Sequence, residues 1–164
     1  MRDDRAYAAA VAAFATFLYL AIVVAAFGLI SLATNTEVIA DPSVGTLVGP
    51  IMTGAATLTV FACLLSTGMR VPADQQRIRP LLALAVGFAA YFVFAAAGGI
   101  AGAIGAPAQP LHYFLFFFAQ LGSWSSFTVG IAAVFVTLLY QLVLVGRFRQ
   151  RGRPRWPWER DDEE

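Results

Sequence analysis

No charged residue falls between Ala6 and Glu37, between Val44 and Met69, or between Leu81 and Val145. An uncharged apolar run of about 18 residues or more is a candidate transmembrane helix. A soluble fold would need polar faces on such helices, and these runs have none. Tyr7 to Thr34 is the first run, and its 28 residues cross a hydrocarbon core of about 30 Å with length to spare. The hydrophobic stretch of a secretory signal peptide is only about 7–15 residues, so this span is expected to be retained. The second span runs from Leu47 to Met69, with Pro50 in its first turn, where the missing N–H costs little. Pro80 opens the third, Pro80 to Gly105, and the uncharged turn Ala106-Pro107-Ala108-Gln109-Pro110 closes it.

Leu111 to Val145 is too long for one crossing, because its 35 residues would make a helix of about 52 Å. The arginines fix one end near Val145. Counting back about 23 residues puts the other boundary at Ser123 and Trp124, and Trp is favoured at membrane interfaces. The fourth span is then 123–146. Leu111 to Leu121 either lies in the interface or continues as a steeply tilted helix, with Gly122-Ser123 as the natural break. The pattern predicts an all-α, integral membrane four-helix bundle built from two antiparallel transmembrane hairpins. Its transmembrane domain is 1–146, and 147–164 form an arginine-rich, then acidic tail, read as largely disordered.

Composition strengthens this reading. Hydrophobic residues make up 59% and charged residues 13%, against about 45–50% and 25% in soluble domains. All eleven basic residues are Arg. Two precede the first span, three (Arg70, Arg77, Arg79) lie between the second and third, and six follow the fourth. The intervening loops, carrying Glu37 and Asp41 in one case and no charge in the other, have none. The positive-inside rule therefore predicts a multi-pass protein of the bacterial cytoplasmic membrane with both termini cytoplasmic.

Within lipid, helices approach through small residues. In the fourth span Gly122, Ser126, Gly130, Ala133, Thr137 and Gln141 share a face. The third offers Gly87, Ala90, Gly98, Ala101 and Gly105, with Gly98 and Gly102 as a small-xxx-small pair; the second offers Gly49, Thr53, Ala56, Cys63 and Thr67. Gly98, Gly102, Gly122, Ser126 and Gly130 are the expected helix-packing residues. They serve either the chain's own bundle or a contact with a second copy or a partner membrane protein. In the tail, Arg147, Arg149, Arg151, Arg153 and Arg155 alternate with other residues. An extended strand would set them on one side for lipid headgroups, at about 1 kcal/mol each, with Phe148, Trp156 and Trp158 on the other. The plainer alternative is a stop-transfer signal that sets topology.

Candidate chemistry is sparse. Pumps and proton relays need an ionisable group within the membrane, and these spans hold none. Cys63 is the single cysteine, so it makes no internal disulfide and no cysteine metal cage. His112 is the single histidine and reads as an interfacial residue. No catalytic, cofactor-binding or metal-ligating constellation emerges, and no cofactor, nucleic-acid partner or enzymatic activity is expected. The Ser and Thr hydroxyls of the spans are expected to bond back to their own helix carbonyls.

The alanine-rich first span, the Gly49-Pro50 start of the second and the arginine tail together resemble the small four-span membrane proteins of GC-rich actinobacteria that carry a domain of unknown function. The resemblance implies a membrane layout and brings no activity. The expected role is that of a non-enzymatic accessory or assembly protein acting through helix packing and contact with the lipid bilayer. An oligomeric small-solute channel or facilitator lined by Ser126, Thr137 and Gln141 is the alternative.

Overall fold

A computed structural model describes residues 2–35, 47–71, 77–105 and 110–151. They form five helices: α1 Arg2–Thr34, α2 Val48–Arg70, α3 Pro80–Gly105, α4 Pro110–Leu121 and α5 Trp124–Arg151. No strand occurs among the described residues. Four of the five (all but α4) are long and apolar enough to cross a membrane.

Local chemistry sets the ends. α1 stops where Asn35 adopts the left-handed conformation (φ 51°) that closes many helices and that Asn tolerates better than most residues. α3 starts at a proline, and the Arg79 carbonyl before it accepts from the Leu82 and Ala83 amides at 3.1 and 3.3 Å. Hydroxyls inside the helices bond backwards, as Thr57 does to the Thr53 carbonyl and Ser66 and Thr67 both do to that of Cys63.

α2 packs between α1 and α3, while α5 lies against α1 and α3 and reaches α2 only slightly. α1 contributes the stripe Ala8, Ala12, Ala15, Tyr19 and Val23 to the core. α2 contributes Val48, Met52, Ala56, Val60, Leu64 and Gly68, the i, i+4 row. The sequence pointed instead to the small face Gly49, Thr53, Ala56, Cys63 and Thr67. Only Ala56 belongs to both, because Met52, Val60 and Leu64 fill the space that small residues would leave.

Leu111 to Leu121 breaks from the last span at Gly122-Ser123, the expected break point. It forms α4, a separate helix packed along α3, with Phe116 buried in the core. The tail also differs from expectation, since α5 stays helical through Arg151. A helical backbone over 147–151 does not alternate sides residue by residue, so the extended strip does not exist over these positions. Arg153, Arg155 and the acidic end lie outside the described residues, as do Glu37, Asp41 and Asp74.

The outer surface is apolar to a degree water does not tolerate. Phe14 (78%), Leu32 (83%), Leu81 (80%) and Trp124 (79%) are almost fully exposed, together with many other Phe, Leu and Ile side chains on every spanning helix. Such a belt far exceeds the scattered apolar patches of soluble monomers and calls for lipid as its solvent.

Candidate functional site

The most polar place inside the bundle is the joint between α4 and α5. The buried polar residues Gln120, Ser125 and Ser126 are gathered there, and Thr137 and Gln141 lie further along α5. Gly122 and Ser123 interrupt the helix, which would leave the last carbonyls of α4 without partners in an apolar interior. Each of them is engaged. The Gly122 amide donates to Ala119 O and the Ser123 amide to Gln120 O, both at 3.1 Å. The Ser126 hydroxyl donates to the same Gln120 carbonyl at 2.6 Å, and the Tyr91 hydroxyl of α3 donates to Leu121 O. Ser123 caps α5, its Oγ accepting from the Ser126 amide at 3.4 Å. The Gln120 side-chain amide donates to Ser125 Oγ at 2.8 Å, and the Ser123 and Ser125 hydroxyls pair at 2.7 Å.

Tyr91 lies on α3 opposite Gly130 of α5, and the tip of its side chain reaches the end of α4. Its ring is held by Phe92 edge-on at 5.3 Å and by Phe127 at 5.5 Å. Irregular backbone in apolar surroundings is tolerated where protein surrounds it. The joint contains no ionisable group and no nucleophile paired with a base, and the described residues hold no cluster able to bind a metal.

A second polar device sits at the arginine-bearing end. Gln141 grips the backbone of Arg79: its Oε1 accepts the Arg79 N–H at 2.6 Å and its Nε2 donates to the Arg79 carbonyl at 3.4 Å. It thereby ties the start of α3 to α5. Gln141→Leu leaves the Arg79 amide unpaired and is expected to cost about 1–3 kcal/mol, read as a lower thermal midpoint in detergent. An unchanged midpoint would remove Gln141 from this role. Nearby, the Arg147 guanidinium stacks on the Tyr7 ring at 3.5 Å, and the Tyr140 hydroxyl donates to the Ala8 carbonyl at 3.4 Å. These contacts gather the arginine-bearing ends of α1, α3 and α5 at one end of the bundle. Arg147 is half-buried against Tyr7, and the side chains of Arg149 and Arg151 lie outside the described set.

The expected packing residues divide. Gly98 faces Met52 and Phe116, and Gly130 faces Tyr91 and the Gly87 backbone, so both pack within one copy. Gly102 is buried. Ser126 is buried too, but its hydroxyl serves the joint. At Gly122 a Cβ would meet only Ala119 O of its own turn at 3.6 Å, so within one copy it marks the break and meets no other described helix. Tyr91, Gln120, Ser123 and Ser125 escaped the sequence reading as a group. The available signal was the polar cluster around Gly122 in an otherwise apolar run. Two hydroxyls, Tyr19 Oη and Thr137 Oγ1, are buried without a hydrogen-bond partner.

A helical bundle with four membrane-length helices, a lipid-type exterior and an interior held by self-satisfied polar joints is a multi-pass membrane protein. Residues 1–164 match the model of DUF6121, a family of unknown function, and the chain belongs to that family. No curated protein and no solved structure matches it.

Proposed function

We propose that this protein is a non-enzymatic accessory or assembly component of a bacterial cytoplasmic membrane, with both termini cytoplasmic, acting through helix contact and lipid contact. The observation that carries the reading is the free end of α1. Beyond Val23 no α1 residue up to Asn35 is buried, and a Cβ on Gly28 would meet nothing within 4 Å. Elsewhere the close approaches at Gly68, Gly87, Gly98 and Gly130 are used inside a single copy. Apart from Phe27, which packs against Phe94 of α3, the distal part of α1 is therefore the stretch left for another helix, from a second copy or a partner membrane protein. No nucleic acid or cofactor enters this reading.

Ser126, Thr137 and Gln141 are buried within one bundle, and Ser126 and Gln141 are already engaged. This favours packing over a path between copies. A photo-crosslinking amino acid at Leu32, activated in native membranes, is expected to give a discrete protein adduct, identified by mass spectrometry as a second copy or one membrane protein. The same probe at Phe135, on the outer face of α5, should label lipid only. Lipid labelling alone from both positions would defeat the proposal.

A further inference from the structure

Between α3 and α5 an apolar groove of about 410 Å³ opens outward, lined on α3 by Leu84, Gly87, Phe88, Tyr91 and Phe92, and on α5 chiefly by Phe127, Gly130 and Ile131. We propose that it seats one acyl chain of an anionic phospholipid whose headgroup is held by Arg77 and Arg79. The floor is formed where α3 and α5 meet at Gly87 and Gly130, and the rim by Phe88, Phe92, Phe127 and Ile131, all largely exposed. Four protruding side chains keep out a second helix, about 10–12 Å across with its side chains, and admit a single polymethylene chain. The lining side chains are apolar except Tyr91, whose hydroxyl donates to the Leu121 carbonyl, so the groove suits an apolar ligand.

Charge selects the headgroup. Leu84 is five residues beyond Arg79, placing the foot of the groove about 7 Å above it. From Leu84 to Phe92 the groove rises about 12 Å along α3. Gln141 pins the Arg79 backbone to α5, which fixes the start of α3 at the seam the groove follows. Arg77 and Arg79 are both exposed there. Guanidinium groups match phosphate oxygens in geometry as well as in charge. The lipid belongs to the leaflet on the arginine side.

This inference rests on the lipid-contact half of the reading above, and the α1 crosslink tests the other half, so the two fail separately. The full chain is reconstituted in phosphatidylcholine nanodiscs with traces of phosphatidylglycerol or phosphatidylcholine carrying a diazirine on one acyl chain. The phosphatidylglycerol probe is expected to label 84–92 and 127–134 above the outward residues Phe14 and Phe17, and the phosphatidylcholine probe to show no such preference. Arg77→Gln and Arg79→Gln should each lower groove labelling about fivefold. Ile131→Trp, which fills the groove from its exposed rim, should abolish the preference while thermal unfolding stays unchanged. Equal labelling by both headgroups, labelling that survives Ile131→Trp, or chain-to-chain crosslinks through the groove would each overturn the proposal.

Discussion

Gly87→Ala is expected to lower the thermal midpoint of the detergent-solubilised bundle by about 5–10 °C. A Cβ at Gly87 would overlap Val134 Cγ2 and stand 2.9 Å from the Gly130 carbonyl oxygen. A side chain can rotate away, but a helix carbonyl cannot, so α3 and α5 would have to separate along their shared seam. Overpacking of this kind costs about 1–3 kcal/mol. Gly98 is the control. The nearest atoms to its Cβ are Met52 Sδ and Cε at 2.8 and 2.9 Å and Phe116 Cε1 at 3.0 Å. The end of a methionine adapts readily, so Gly98→Ala should cost under about 1 kcal/mol. Equal midpoints for the two variants would mean that α3 and α5 do not meet backbone to backbone.

The spanning helices were legible because charge is excluded from lipid over lengths a sequence displays directly. Pro80 marked the start of α3 for the same kind of local reason, its ring suiting the first helical position. Which face of each helix is buried was less legible. On α2 the small residues drew attention, yet Met52, Val60 and Leu64 do the packing, because facing glycines such as Gly98 make room for them. Such complementarity belongs to two helices at once, and neither sequence carries it alone. How the α4–α5 break is satisfied was hidden for a similar reason. Counting residues back from the arginines put Ser123 and Trp124 at a membrane boundary. The donor to the last carbonyl of α4 is Tyr91, 30 positions away in sequence and joined to Leu121 only by the fold. Gln141 read as a headgroup contact or a pore residue until its partner, the Arg79 backbone, was in place.

The joint itself yields the second large effect, through the order of three substitutions. Tyr91→Phe removes the side-chain donor to the Leu121 carbonyl and leaves that oxygen unpaired in a partly buried, apolar setting, at a cost of about 1–3 kcal/mol. Ser126→Ala is expected to cost less, about 0.5–1 kcal/mol, because the Gln120 carbonyl keeps the Ser123 amide after the hydroxyl is gone. Gly122→Ala should cost least, its Cβ meeting only ordinary contact at 3.6 Å. Stability alone does not separate a tether from a generic core contact, so the second readout is the distance between spin labels on Leu115 of α4 and Ile131 of α5. If Tyr91 holds α4 in place, Tyr91→Phe broadens that distribution while Ser126→Ala leaves it narrow. If instead Ser126→Ala proves the more damaging, or the distribution stays narrow in Tyr91→Phe, the hydroxyl of Tyr91 is not what fixes α4 against α3. The geometry favours the tether, since the carbonyl it satisfies is the last of α4 and has no other donor in the joint.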